Sequence, residues 1–65
     1  MADYYITASN RAGAHCYASE REATAAAKAM LAGDTQLVRM SKYVRRNVCE
    51  EYAMSRDAMY WKRCK

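Results

Sequence analysis

Proline and phenylalanine are absent from this 65-residue chain, and glycine occurs only twice. Large aliphatic side chains are also scarce, because Ile6, Leu31 and Leu37 are the only isoleucine and leucines. The core must therefore be built largely from Ala, Val, Met and Tyr. A chain this short buries roughly 60% of its unfolded surface. We expect a single domain without room for a deep substrate pocket.

The three cysteines form no known framework. Cys16, Cys49 and Cys64 are odd in number and lack Cys-x-x-Cys or Cys/His spacing, so neither a disulfide network nor a zinc site is predicted. We expect buried thiols in a reducing cytoplasm, and no metal or cofactor. The first residues lack the pattern of a signal peptide, and no apolar run reaches about 18 residues. We therefore expect no membrane role.

Positive charge is in modest excess. Eleven Lys and Arg against seven Asp and Glu give a formal net charge of +4 and a pI of about 9.2. This balance favours an acidic protein or a nucleic acid as partner. An ordinary domain with a solvated basic surface has the same composition, so charge alone does not decide between them.

Two strands and a helix are predicted in the first half. Residues 3–9 alternate in the period of a half-buried strand, and a turn at residues 10–13 leads to a second strand at 14–18. Ser19 and Glu22 match a capping box that begins a helix over residues 20–32. The helix has one small apolar face and ends at Gly33. That face consists of Ala23, Ala26, Ala27, Met30 and Leu31.

The second half is harder to assign. Residues 35–44 fit a strand or a helix, and we favour a third strand because a two-stranded hairpin alone is marginal. Residues 48–63 are rich in helix-forming Glu, Ala, Met, Arg and Lys, so we predict a second helix there. The predicted fold is a single α+β domain, a small antiparallel sheet in ββαβα order.

Catalysis is not expected. The single histidine, His15, neighbours Cys16, but adjacent strand residues point to opposite faces and cannot form a dyad. The glutamate pairs occur in the first turns of predicted helices, where the helix dipole or a cap explains them.

Two surfaces are candidates for binding. If Tyr4, Ile6, Cys16, Val38 and Met40 face the helices, the sheet exposes Tyr5, Thr7, His15, Tyr17, Leu37, Arg39 and Tyr43. Such a Tyr and Arg mixture stacks nucleic-acid bases, and protein hot spots use it too. On the second predicted helix, Met54 and Trp61 lie away from the apolar side and form an exposed edge. Arg45 and Arg46, in the preceding connection, add to a basic C-terminal half.

This layout resembles the compact ββαβ plan of small phage-encoded inhibitors, including some anti-CRISPR proteins and inhibitors of host polymerases. The likeness covers residues 4–44. It lies in the run Ala25-Ala26-Ala27-Lys28-Ala29-Met30, then Gly33 and Leu37-Val38-Arg39-Met40. The resemblance implies stoichiometric inhibition by surface contact, without chemistry, and it carries over no functional residues.

The leading hypothesis is therefore a non-enzymatic interaction protein, a phage-type inhibitor that docks on a larger host protein or nucleoprotein complex. The expected contact residues are Tyr5, Tyr17, Arg39, Tyr43, Arg45, Arg46, Met54 and Trp61. The alternative is a small basic nucleic-acid-binding domain that uses the exposed sheet face. A homodimer formed through the second predicted helix is a third possibility.

Overall fold

The protein folds as one antiparallel sheet with a helix packed on one of its faces. The computed structural model describes residues 3–64. The five strands lie side by side in the order β2-β1-β3-β4-β5. In chain order the elements are β1 (Asp3–Ala8), β2 (His15–Tyr17), α1 (Glu20–Ala32), β3 (Leu37–Arg45), β4 (Val48–Ser55) and β5 (Ala58–Arg63).

The predicted C-terminal helix is wrong, and so is the ββαβα order. Residues 48–63 form the β4–β5 hairpin, which makes the order ββαβββ. Met54 of β4 lies opposite Val38 of β3, and both side chains are completely or almost completely buried. With β3 on one side and β5 on the other, β4 is an inner strand that buries Met54. This packing overrides the helix propensity of the segment.

Helix α1 has the predicted bounds, and its start follows the predicted capping box. The Ser19 hydroxyl accepts a hydrogen bond from the Glu22 backbone N–H at 3.3 Å, and it also donates to the Glu22 carboxylate. At the other end, the Gly33 N–H donates to the Met30 carbonyl at 3.1 Å. Local signals therefore define both ends of this helix.

The core lies between α1 and one face of the sheet. Small alanines on α1 allow the helix to approach the strands closely, which compensates for the shortage of large aliphatic residues. At the margin of the core, the Trp61 indole N–H donates to the Thr24 hydroxyl at 2.8 Å and joins β5 to the helix. The buried apolar side chains are Ile6, Ala23, Ala27, Leu31, Val38, Met40 and Met54.

Two tight turns connect the last three strands. Arg45 pairs with Val48, and Ser55 pairs with Ala58, so each loop has two residues. A type I′ turn requires a positive φ at both loop residues. No non-glycine residue among residues 3–64 has a positive φ, so neither loop is a type I′ turn. A register shift adjoins each turn, and such irregularities absorb the mismatch in strand twist. Within the same described range, no helix has the length and apolar character needed to cross a bilayer.

Candidate ligand-binding face

The two faces of the sheet differ in composition and in cover. Helix α1 packs over the face that carries the buried side chains, whereas no described helix or strand packs on the opposite face. We call this opposite surface the open face. Strand register and alternation assign to it Asp3, Tyr5, Thr7, Cys16, Leu37, Arg39, Ser41, Tyr43, Cys49, Glu51, Ala53, Ser55, Tyr60 and Lys62.

Three tyrosines occupy the open face. Tyr5 and Tyr43 meet edge to face, with ring centroids 5.6 Å apart and an interplanar angle of 83°. Tyr60, on the edge strand β5, is 59% exposed. The Lys62 Nζ lies 5.5 Å from the centre of the Tyr60 ring, so the two side chains share one side of the strand. The face thus offers accessible aromatic rings on three strands, β1, β3 and β5.

The cations of the open face have no carboxylate partner. Three ion pairs occur among residues 3–64, and none involves Arg39 or Lys62. Both cations lie in the same cross-strand row, one on each side of Ala53. Because no described carboxylate lies within 4.0 Å of either cation, both remain available to an anionic ligand. The described ion pairs are Arg11–Asp34, Lys42–Glu20 and Arg63–Glu50.

The environment of Tyr5 favours its neutral phenol. Cys16 lies directly opposite Tyr5 on the neighbouring strand. The electrostatic interaction with Cys16 and a hydrogen bond between the two side chains raise the pKa of Tyr5, and the Asp3 carboxylate adds to the shift. At neutral pH the ring therefore faces the solvent as an uncharged aromatic group.

The open face is shallow. Among residues 3–64, its best-formed depression has a volume of about 80 Å³ and lies between β1 and β3. Small-molecule sites typically enclose roughly 300–1,000 Å³. This surface therefore suits an extended ligand better than a small substrate. The depression is lined by Thr7, Ala8, Ser9, Leu37 and Arg39.

Five of the eight predicted contact residues lie on or beside the open face. Tyr5, Arg39 and Tyr43 are on it, as predicted. Arg45 ends β3 and Arg46 lies in the following turn, both exposed at one end of the sheet. The open face thus unites residues from widely separated parts of the chain.

The predicted orientation of β2 is wrong. Tyr17 pairs with Tyr4, and His15 pairs with Ile6, which places both on the side covered by α1. Tyr17 is partly buried against the core, whereas Cys16 is exposed on the open face. Register with β1 determines these directions, and a three-residue strand has too little alternation to reveal them.

The predicted edge of Met54 and Trp61 does not exist. Met54 is 1% exposed and belongs to the core, and Trp61 packs against the core from β5. Both directions follow from strand geometry in place of the predicted helix. Sequence reasoning also missed Tyr60 and Lys62, although their alternate spacing was a signal for one face of a strand.

The described residues contain no group of three His, Cys, Asp or Glu side chains arranged to hold a metal ion. All three cysteines are free and exposed, which corrects the expectation of buried thiols. No family model, curated protein or solved structure matches this chain. The geometry of the open face is therefore the basis for a functional proposal.

Proposed function

We propose that this protein binds single-stranded nucleic acid on its open face. One observation carries the proposal: accessible tyrosine rings and cations without carboxylate partners share the uncovered face of the sheet. Proteins that bind single strands combine aromatic stacking platforms with positive charge along the backbone. The proposed activity is binding without catalysis.

The tyrosines would stack bases, and the cations would contact phosphates. Tyr43 and Tyr60 are 42% and 59% exposed, so each can offer ring surface to an unpaired base. Ser41 and Ala53, on the central strands β3 and β4, have small side chains that add little height to the open face. A duplex buries the faces of its bases, so a stacking platform favours an unpaired strand.

A nucleic acid fits this face better than a protein does. The buried centre of a protein interface is usually more apolar than the rest of the surface and poor in charged side chains, whereas the open face carries Arg39, Glu51 and Lys62 near its middle. Leu37 is the single large aliphatic residue on the open face, and it is already half-buried. Met54 and Trp61, the apolar part of the predicted protein-docking surface, point into the fold. The phage-type inhibitor stays a prediction from the sequence.

Fluorescence anisotropy with labelled dT12 and U12 tests the proposal. Replacing Arg39 and Lys62 by Ala should weaken binding and lower the salt dependence, since each phosphate contact contributes about 0.7 to the slope of log K against log salt for single strands. Tyr60→Ala should weaken binding about tenfold, within the roughly 1–3 kcal/mol that stacking one base contributes.

The matched control removes the same charge from the opposite side of the molecule. Arg21 and Lys28 are exposed on α1, and neither has a carboxylate within 4.0 Å among the described residues. Replacing both by Ala should change affinity and slope much less than the open-face pair does. Equal losses in the two double variants would contradict the proposal, as would the absence of binding at low salt.

Two native cysteines report the location of the ligand. Cys16 and Cys49 are exposed and lie on the open face, opposite Tyr5 and Tyr43 respectively. Bound dT12 should slow their alkylation, as followed by mass spectrometry. A cysteine introduced at exposed Ala25 on α1 should react equally fast with and without the oligonucleotide. Slower alkylation at position 25 alone would place the ligand on the helix side of the molecule and contradict the proposal.

The proposed compartment is the cytoplasm. Cys16, Cys49 and Cys64 are exposed and unpaired. Exposed free thiols are maintained most easily in a reducing environment, where nucleic acid is also present. This observation supports the location that the cysteine pattern predicts.

A further inference from the structure

Within residues 3–64, the hairpin formed by β3 and β4 extends past the strands beside it. The last described pairing between β1 and β3 joins Asp3 to Tyr43. On the other side, the last described bond to β4 runs from the Cys64 N–H to the Glu51 carbonyl. Residues 44–49 comprise the turn and the strand ends that adjoin it. No further described strand lies along either outer edge of this segment, and we call it the β-arm. Every residue of the β-arm is exposed.

The β-arm combines positive charge with exposed apolar surface. Arg45 and Arg46 have no carboxylate within 4.0 Å among residues 3–64. Val44 and Val48 are 39% and 44% exposed, whereas Val38, the remaining valine of the chain, is fully buried. We call the open-face tyrosines Tyr5, Tyr43 and Tyr60 the stacking platform. Neither packing of the core nor stacking on this platform explains why a projecting segment carries these four side chains.

We infer that the β-arm contacts a duplex adjoining the bound single strand, so that the preferred ligand is a junction between single- and double-stranded nucleic acid. This inference rests on the proposed function. A two-stranded ribbon fits the major groove of B-DNA, which is about 12 Å wide. Strands in a ribbon are about 4.8 Å apart, so the β-arm is narrow enough to enter.

The path from the platform to the β-arm is continuous. Tyr43 stands on the open face immediately before the β-arm, and it contacts Tyr5 in the stacking platform. A single strand that leaves the stacking platform at Tyr43 would next meet the β-arm, because Val44 follows Tyr43 directly in the chain. There the arginines would contact phosphates or base edges, and the valines would meet thymine methyl groups. Charge complementarity thus extends from the face to the projecting turn.

Anisotropy with four labelled DNA probes tests the inference. These are dT12 alone, a blunt 12-base-pair hairpin, and the same hairpin with a dT12 tail at either its 5′ or its 3′ end. We expect one tailed hairpin to bind about tenfold more tightly than dT12 or the blunt hairpin. Replacing Arg45 and Arg46 by Ala should abolish this preference, and replacing both by Lys should retain most of it.

The helix variant with Arg21 and Lys28 replaced by Ala is the control for lost charge. It should keep the ratio between tailed hairpin and dT12, and circular dichroism on heating should show every variant folded. The inference is overturned if neither tailed hairpin exceeds dT12, or if the Arg45 and Arg46 double Ala variant keeps the ratio. In those cases dT12 still binds. Failure of dT12 to bind at all would instead remove the proposed function.

Discussion

Glu50 shows how one carboxylate is stabilised at the end of the sheet. It lies on the side of α1, where it accepts a hydrogen bond from the Tyr52 hydroxyl at 2.7 Å. That hydrogen bond is the main cause that lowers the pKa of Glu50, with help from the charges of Arg63 and Lys42. The same bond to the carboxylate raises the pKa of Tyr52. The pair therefore favours a charged Glu50 and a neutral Tyr52.

The pH dependence of stability follows from these two directions. Because folding lowers the pKa of Glu50, its contribution is present above the unfolded value of about 4.3 and is lost as pH falls through the folded value. Tyr52 contributes below about pH 10, and that contribution is lost as pH rises through its raised folded pKa. Urea midpoints measured from pH 3 to 7 should fall less steeply on acidification in Glu50→Gln.

Asp34 is the necessary comparison for that experiment. Hydrogen bonds from Arg11 and Asn10 lower the pKa of Asp34. Asp34 therefore contributes to the same fall of the urea midpoint at acidic pH, which we call the acidic limb. Asp34→Asn should therefore flatten the limb separately, and the double variant should flatten it further. An unchanged acidic limb in Glu50→Gln would show that the Tyr52 bond does not persist in solution.

At the scale of elements, the end of α1 depends on a distant turn. The last turn of the helix contains no basic residue to balance its dipole. Arg56, in the turn between β4 and β5, takes this role. Its Nε donates to the Leu31 carbonyl at 3.1 Å, and its Nη2 donates to the Gly33 carbonyl. The cation thus joins the helix terminus to the C-terminal hairpin.

Removing this link should destabilise the fold. We expect Arg56→Ala to lower the free energy of unfolding by about 1 kcal/mol, which is less than the roughly 1.5–3 kcal/mol typical of charged hydrogen bonds because the side chain is exposed. Arg56→Lys should lose roughly half as much. Arg46→Ala is the matched control, since Arg46 opens the other two-residue turn. Equal urea midpoints for the Arg56 and Arg46 Ala variants would contradict this role.

Local signals made the first elements predictable. Ser19 and Glu22 begin the helix within a single turn of chain, so the bounds of α1 are confirmed. The favoured strand over residues 35–44 is also confirmed, with observed bounds Leu37–Arg45. In both cases the evidence lay in residues close together in the sequence.

The last two strands depend on information that is not local. Glu50 and Arg63 point to the helix side, beyond the buried centre, and so break the alternation expected of a strand. The turns at residues 46–47 and 56–57 contain no glycine to mark a hairpin. Helix propensity was then the strongest remaining signal. Because of that error, Tyr60 and Lys62 of the open face were missed, since both lie on β5.

On the scale of the whole molecule, charge is divided between the two sides of the sheet. The described ion pairs lie away from the open face. On the open face, Arg39 and Lys62 are accompanied by the half-buried carboxylate of Glu51 near the centre. Glu51 opposes the approach of phosphates, and it should limit how tightly the face binds an anionic strand.

Neutralising Glu51 should therefore strengthen binding. We expect Glu51→Gln to raise the affinity for dT12 about threefold at low salt, with a smaller gain at high salt because screening weakens the repulsion. Asp57→Asn, an exposed change in the β4–β5 turn, removes the same charge away from the face and should have less effect. A weaker complex in Glu51→Gln would show instead that this carboxylate accepts hydrogen bonds from the ligand.

The division into two layers separates the requirements of folding from those of recognition. None of the seven buried apolar side chains belongs to the open face. Substitutions there leave the core untouched, so selection can change the recognised ligand without first acquiring compensating stability. Over generations the helix layer would be conserved for its shape, while the opposite layer could diversify rapidly. The same scaffold could thereby give rise to descendants with different specificities.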